Sequence, residues 1–335
     1  MKQISKVSLL VVFLYLIVST HILRSESSRN SMSGQNLTQE ELLELLQPPK
    51  PGSSKWGKDD QKGSANLLTA EKVLQATELI TKGQIYQLGS VYEEKMPLLP
   101  HRHFTVLMHP PSPPTGKNKA TGMEELLITE IGQVGTQFDG LGHVGIGDTY
   151  YNGNARQDFQ TSSGLTKLGI ENAGVFLTRG VLLDIAALKG VKRLEKGYEI
   201  TVDDLKAALK REGVTIKPGD AVLLHTGWGG LWNIDNDLYN SGEPGIGISA
   251  ASFLIRQKIS LVGSDTWATE VVPGADPEVI FPVHQLLIPL NGTYNLENLD
   301  TSELAHDQVY EFAFFFAPLR LKGFTGSPGN PVAIR

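Results

Sequence analysis

The segment from Gln133 to His143 places polar side chains at alternating positions, close to several glycines. Side chains of a strand alternate between two faces, so positions 133, 135, 137 and 139 of an extended segment would share one face. Gln133, Gln137 and Asp139 would then approach a common point, and His143 follows a bend that glycine permits without steric cost. Two amides, a carboxylate and an imidazole gathered in this way suit a metal ion or a polar substrate better than a hydrophobic core.

Hydrophobic patterning predicts strands and helices mixed along one continuous core, which indicates an α/β protein with a mixed sheet. Thr201 and Asp204 form a capping-box pattern, which predicts a helix that continues to Arg211 and ends at Gly213. The other predicted helices cover residues 71–79 and 248–258. The predicted strands cover residues 85–91, 126–139, 175–185, 221–224, 259–263 and 309–317.

The composition is that of a globular protein, with 335 residues of which 40% are hydrophobic and 20% are charged. The net charge of −6 argues against a nucleic-acid surface. The absence of cysteine excludes disulfides, thiolate zinc sites and a cysteine nucleophile. Neither a Gly-x-Ser-x-Gly elbow nor a phosphate-binding loop occurs in the sequence. The composition and the net charge fit a protein that acts on small substrates, as hydrolases do.

The N-terminus has the pattern of a targeting segment, with Lys2 and Lys6 ahead of an unbroken apolar run from Leu9 to Val18. We interpret residues 1–25 as a signal peptide that is removed, which predicts an exported protein, periplasmic or secreted, with no stable membrane association. An uncleaved anchor is the alternative. Residues 26–55 are rich in Ser, Asn, Gln and Pro and are predicted to be a flexible arm. Residues 56–335 are predicted to form a single domain.

The segment around Asp139 resembles the signature His-x-Gly-Thr-His-x-Asp-x-Pro-x-His of the cyclase family of metal-dependent hydrolases, which includes kynurenine formamidases and isatin hydrolase. Gly135, Thr136, Asp139 and His143 match that signature. The chain departs from it where Gln133 and Gln137 replace two histidines and where Leu141 replaces proline. Further similarity runs from Trp56 to Arg335 in the order of the family. The resemblance implies a swivelling β/β/α fold, in which a mixed sheet is partly closed into a barrel and flanked by helices, and it implies a homodimer.

The resemblance also implies a metal site. His284 and Glu297 match the histidine and glutamate that join the motif aspartate in the family, so Asp139, His284 and Glu297 are the predicted ligands, with Gln133 and Gln137 as further candidates. An amide oxygen is a harder and weaker donor than imidazole, so the two glutamines should shift the preference towards Mn²⁺ or Mg²⁺. The expected cofactor is a divalent metal, Mn²⁺ or Zn²⁺, as one ion or two. A one-ion site is the favoured picture.

The function implied is hydrolysis of a small amide, formamide, lactone or cyclic imide, as in an arylformamidase, by a metal-activated water with His143 as general acid and base. Six other residues near predicted strand ends or loops are candidates for substrate binding: Trp56, His101, His103, His225, Trp228 and Asp265. For Asp265 a structural role in holding loop amides is the favoured reading. The alternative function is a non-catalytic small-molecule-binding protein with a degenerate metal site, because two family histidines are missing.

Overall fold

A nine-stranded mixed sheet forms the centre of the protein in the computed structural model, which describes residues 37–335. The predicted signal peptide and the first part of the predicted arm lie outside the described residues. Within residues 37–335, no helix has both the length and the apolar character needed to cross a membrane.

The strands are short except at the centre of the sheet. They are β1 Ile85–Gln87, β2 Phe104–Met108, β3 Glu125–Thr129, β4 Gln137–Asp139, β5 Thr149–Tyr150, β6 Asn154–Ala155, β7 Gln160–Thr161, β8 Gly164–Leu165, β9 Phe176–Asp184, β10 Glu199–Ile200, β11 Ala221–His225, β12 Gly245–Ile246, β13 Leu261–Ser264, β14 Tyr294–Glu297, β15 Glu311–Phe316, β16 Gly326–Pro328 and β17 Val332–Ile334. The helices are α1 Gln39–Leu45, α2 Ala70–Thr77, α3 Ile185–Leu188, α4 Val202–Glu212, α5 Asn236–Asn240, α6 Ile248–Arg256, α7 Pro282–Asn291 and α8 Ser302–His306.

The strand order in the large sheet is β1-β17-β15-β9-β11-β13-β14-β4-β16. The four strands β9, β11, β13 and β14 run parallel, and the strands on both sides of them pair antiparallel. The sheet curls into a half-barrel flanked by helices, so the predicted mixed α/β fold of the cyclase type is confirmed. The central strands are buried at almost every position, as expected when both faces of parallel strands are covered.

An aromatic cluster fixes the short strand β4 in the sheet. The ring of Phe138 stacks on Tyr294 with centroids 5.0 Å apart, and it lies 5.1 Å from Phe176 and from Phe316. Because strand side chains alternate, Gln137 and Asp139 lie on the face opposite Phe138. The apolar packing of one residue therefore holds its two polar neighbours in place.

Local signals predicted helix α4 well. Thr201 and Asp204 form the capping box, and Gly213 ends the helix with a φ of 68°, a left-handed conformation that favours glycine. The predicted limits of the other elements are correct to within a few residues, except that strand β1 is much shorter than the predicted strand over residues 85–91.

The predicted strand over residues 126–139 is wrong, because two strands, β3 and β4, are separated by turns. Gly135 lies between them with a φ of 68°, and a Cβ atom at this position would approach the ring of Tyr92 to 2.5 Å. A left-handed glycine under an aromatic ring breaks the alternation on which the prediction depended. Position 133 therefore does not share a strand face with 137 and 139.

The described part of the predicted arm, residues 37–55, packs on the domain. Thr38 caps helix α1 in a capping box with Glu41. Leu46 is 6% exposed in the main core, and the amide of Gly52 donates to the carbonyl of Asn152. The composition that suggested a flexible segment conceals a short apolar series, of which Leu42, Leu45 and Leu46 contact the core.

A projecting hairpin is formed by β2 and β3 with the proline-rich loop between them, and every residue from 105 to 128 is exposed. Four prolines between residues 108 and 120 predict an irregular loop, and this loop lies at the tip of the hairpin. Large apolar side chains remain exposed on both faces of this hairpin: Val106, Leu107, Met108, Leu126, Leu127 and Ile128. The homodimer implied by the resemblance stays a prediction.

Glu212, the last residue of α4, should make the stability of the protein depend on pH. Its Oε1 accepts the backbone amide of Asp184 at 2.8 Å, whereas Oε2 is buried with no hydrogen-bond partner among residues 37–335. Burial raises the pKa of Glu212 from 4.5 to about 7, against the opposing charge of Arg211. The folded state therefore binds the proton more tightly than the unfolded chain. This contribution is complete below about pH 4.5 and is lost as the pH rises through about 7.

We therefore expect Glu212→Gln to increase the free energy of unfolding at pH 8 by about 2 kcal/mol more than it does at pH 5, after allowance for solvent screening. Urea unfolding of both proteins at the two pH values measures this difference. Glu303→Gln, at an exposed glutamate of α8, is the control and should give no such difference. An effect of Glu212→Gln that is equal at pH 5 and pH 8 would contradict the prediction.

Candidate metal centre

The pairing of two strands brings four polar side chains onto one face of the sheet. Strands β4 and β14 are antiparallel, with Asp139 opposite Asn295 and Gln137 opposite Glu297. Within each strand the two residues are two positions apart, so all four side chains lie on the same face. Asp139, Asn295, Glu297 and Gln137 are all buried.

His284 comes to this face from the first turn of α7. Proline occupies the first helical position, where its missing N–H costs nothing. Glu270 accepts the backbone amides of Val283 and His284, and it also bonds to His284 Nδ1. This contact fixes the ring so that Nε2 lies 3.1 Å from Glu297 Oε1 and 3.5 Å from Asp139 Oδ2.

Asp139, His284 and Glu297 have the chemistry of a cation site. Each offers one ligand atom, and these atoms lie within 4.8 Å of one another. Burial and the nearby charge of Asp139 together raise the pKa of Glu297 to about 7, against the influence of His284. Two buried carboxylates at one imidazole leave an excess of negative charge that a divalent cation would balance. The oxygen Oδ1 of Asn295 is also buried without a hydrogen-bond partner in the described chain. The residues present therefore fit a divalent metal.

Asp139 lies at the centre of these contacts. Burial would raise its pKa, but the charges of His143 and His284 and the amide of Gln133 outweigh burial and hold the pKa at about 2. For His284 the balance is similar: burial lowers its pKa, yet the hydrogen bonds with Asp139, Glu270 and Glu297 raise it well above its ordinary value. The imidazole of His284 and the carboxylate of Asp139 thus stabilise each other in charged form, whereas the charged form of Glu297 is disfavoured.

The two glutamines at the motif positions act as donors in this arrangement. Gln133 Nε2 donates to Asp139 Oδ1 at 2.8 Å, and Gln137 Nε2 donates to Glu297 Oε2. Gln133 arrives from the loop before β4, through a turn in which its backbone amide donates to the carbonyl of Glu130. Each amide orients a carboxylate and occupies an oxygen on which a second cation would depend. This arrangement favours a single ion.

His143 lies beside the predicted ligands at the edge of the site. Its Nε2 is 3.6 Å from Asp139 Oδ1, and 21% of its side chain is exposed. The backbone amide of His143 donates to the carbonyl of Gly140, so a tight turn returns the ring towards Asp139. Burial lowers the pKa of His143, and the charges of His284 and Arg102 lower it further against that of Asp139. An imidazole next to the site and partly open to solvent is suited to proton transfer.

The six predicted substrate-binding residues lie in different surroundings. Asp265 accepts the backbone amides of Thr226 and Gly227 at 3.0 and 2.8 Å, which is the structural role favoured for it. Trp228 is 1% exposed in a small aromatic cluster, and its Nε1 donates to the carbonyl of Tyr239. His225 Nδ1 bonds to Thr301 at 2.8 Å. None of these contacts reaches the residues of the candidate site.

The other three candidates are more exposed. Trp56 is half-buried, with the amine of Lys55 4.2 Å from its ring. His101 and His103 are exposed, and His103 Nδ1 bonds to Glu130 at 2.9 Å. A substrate-binding role for these six residues stays a prediction.

Sequence reasoning did not find Glu270 or Asn295. Asn295 could have been found, because it lies two positions before Glu297 in a strand and therefore on the same face. Glu270 gives no such signal. It meets His284 only because the chain between them folds back on itself.

Glu270 should govern the affinity of the site for its metal. A carboxylate that accepts the second N–H of a metal-binding histidine typically contributes about 10- to 100-fold to affinity. We expect Glu270→Gln to weaken cation binding by about that factor and to leave Asp139, His284 and Glu297 in place. Competitive titration with a chelator measures the change. Glu278→Gln, at an exposed acid in the same loop, is the control. Unchanged affinity in Glu270→Gln would show that the contact does not support the metal.

Known proteins resemble this chain in both sequence and structure. A sequence model described as "Putative cyclase" matches residues 66–271. The crystal structure of a novel cyclase is 32% identical, covers 85% of this chain and 98% of its own, and superposes with a TM-score of 0.78. Isatin hydrolase A from Labrenzia aggregata, bound to benzyl benzoate, is 23% identical, with a TM-score of 0.55 over 75% of this chain and 93% of its own. An isatin hydrolase bound to the product analogue thioisatinate is 20% identical, with a TM-score of 0.56 over 79% of this chain and 98% of its own. No curated protein matches the chain.

The curled mixed sheet and the buried carboxylate–imidazole cluster define a cyclase-type protein with a candidate metal centre. Because the matched region spans more than half of the sequence, the chain belongs to the cyclase family. The family membership predicted from the motif around Asp139 is confirmed.

Proposed function

We propose that the protein is a metal-dependent hydrolase that opens a C–N or C–O bond of a small amide, formamide, lactone or cyclic imide. The observation that supports this proposal is the convergence of Asp139, His284 and Glu297 within 4.8 Å, with His143 beside them. A closed structural site has no need of an additional titratable group at its edge, whereas a catalytic site does.

Asp139, His284 and Glu297 would hold one divalent cation, Mn²⁺ or Zn²⁺. When bound, such a cation polarises the carbonyl group of a substrate and makes water more acidic. Gln133 and Gln137 keep the two carboxylates oriented through their amide groups, and Glu270 keeps Nε2 of His284 directed towards the carboxylates. Fixed geometry of this kind is what a catalytic site requires before substrate arrives.

His143 would move the proton. Its ring is close to Asp139 but at 3.6 Å is outside hydrogen-bond distance, so Nε2 is available to another partner. In the hydrolysis of an amide, His143 Nε2 accepts a proton from the attacking water and then donates it to the leaving nitrogen. The C–N bond breaks, a C–O bond forms, and the products are a carboxylic acid and an amine.

The test is turnover by the purified protein. The protein is loaded with Mn²⁺ or Zn²⁺ and assayed against aryl formamides, isatin-like lactams and lactones, and its metal content is measured at the same time. We expect close to one ion per chain and hydrolysis of at least one of these classes. A protein that binds no metal and hydrolyses none of them would instead be the non-catalytic binding protein that the two glutamines first suggested.

A further inference from the structure

Arg102 lies at the base of the projecting hairpin, two residues before strand β2. The residues on either side, His101 and His103, are exposed, whereas Arg102 is half-buried. His103 closes the base through bonds from its backbone amide and Nδ1 to Glu130, at 2.6 and 2.9 Å. The carbonyl of Glu130 in turn accepts the amide of Gln133, whose side chain bonds to Asp139. A short series of contacts thus joins the segment that carries Arg102 to the site.

The guanidinium group of Arg102 has no oppositely charged partner among residues 37–335. Its Nε is buried and has no hydrogen-bond partner among residues 37–335. None of the ion pairs in that part of the chain includes Arg102. A buried charged donor without a partner is costly, so such groups are rare unless they serve a function.

Arg179 is a buried arginine whose charge is paired, and it serves as a comparison for Arg102. Its guanidinium bonds to Asp220 and to Glu311, each at 2.7 Å, and to the carbonyl of Thr215. Arg102 has none of these partners, yet its positive charge is close enough to influence the ring of His143. An unpaired guanidinium near the proposed proton carrier is placed to meet a ligand.

We propose that Arg102 binds the carboxylate of an anionic substrate, so that the preferred substrates of this site are amides or lactones that carry a free carboxylate group. The proposal rests on the proposed function of the site. A planar guanidinium matches a carboxylate through two parallel hydrogen bonds, which gives orientation as well as affinity. Bound in this way, the substrate would present its carbonyl group between Arg102 and the cluster of Asp139, His284 and Glu297.

The binding of one charged and one neutral substrate analogue tests the proposal without any need for catalytic turnover. Benzoate and benzamide have the same shape and differ in charge, and their affinities are measured by NMR titration with metal-free and metal-loaded protein. Hydrogen bonds to charged groups contribute enough for a preference of about 10- to 100-fold for benzoate in the wild type. Arg102→Met should reduce that preference to about two-fold or less, and Arg102→Lys should retain part of it. Circular dichroism confirms that each variant is folded.

A preference for benzoate that survives in Arg102→Met would overturn the proposal, because the cation alone would then explain it. Equal affinity for both compounds in the wild type would overturn it as well. If hydrolysis is found, 2-formamidobenzoate and formanilide extend the test: Arg102→Met should lower kcat/KM for the charged substrate alone, mainly through KM. An equal loss of kcat for both would instead indicate that Arg102 stabilises the developing oxyanion. A lack of turnover would count against the proposed function but would leave the binding result intact.

Discussion

Replacing Asp139 with asparagine should remove the divalent cation and lower turnover by about three orders of magnitude or more. Asp139 is fully buried and, in the described part of the chain, is the one carboxylate within 4.0 Å of both His143 and His284. Asparagine has nearly the same shape but no charge, so its amide offers a weaker neutral ligand beside two imidazoles. Three orders of magnitude correspond to about 4 kcal/mol of lost transition-state stabilisation, which is in the range that a bound metal supplies.

Metal content by mass spectrometry and kcat/KM with the best substrate of the screen measure this effect. Asp148→Asn, at an exposed aspartate paired with Arg156, is the matched control and should change neither quantity. Asp139→Asn loses the attraction of His143 and His284 as well as the repulsion of Glu297, so circular dichroism is used to confirm that the variant is folded. A full complement of metal in Asp139→Asn would show that the cation is bound elsewhere.

Replacing His143 with alanine should lower the rate of turnover without removing the metal. His143 is not one of the three residues whose ligand atoms converge, so the cation content should stay as in the wild type. The loss of a positioned acid and base typically costs about 10²- to 10⁴-fold in rate, and we expect kcat to fall by that amount. Any limb of the profile of kcat/KM against pH that reports His143 should also disappear.

Stoichiometric metal analysis and steady-state kinetics over a range of pH measure the two properties together. His306→Ala is the control, because His306 has 88% of its side chain exposed. If His143→Ala loses the cation, His143 is a ligand and not the proton carrier. If it keeps both metal and full turnover, the proposed mechanism is wrong at this step.

The candidate site could be predicted to the extent that its residues are close in sequence or follow the period of a strand. Gln137 and Asp139 share a face because they are two residues apart, as the alternation in the motif predicts. The same alternation would have found Asn295 beside Glu297. Gln133 reaches Asp139 as well, but along a loop that breaks the strand at Gly135, so the correct contact was predicted for the wrong geometric reason.

The fold could be predicted where local chemistry decides it. The capping box at Thr201 and the glycine at position 213 define helix α4 in the sequence itself. The projecting hairpin was only partly predicted: its prolines indicated a loop, but the exposure of both faces of β2 and β3 is a property of the folded chain. Whether an apolar side chain is covered depends on which other elements pack against it, and no local pattern contains that information.

By itself the sequence determined the class of the fold, the alternation that puts Gln137 and Asp139 on one strand face, and the combination of residue types that a divalent cation requires. The tertiary structure decided that Glu270 orients His284, that both glutamines donate to carboxylates, and that Nε of Arg102 has no hydrogen-bond partner within residues 37–335. The physical reason is the range of the interactions. Hydrogen-bonded caps and strand alternation act over two to four residues, whereas the charge balance of a buried site is set by side chains that only the register of distant strands brings together.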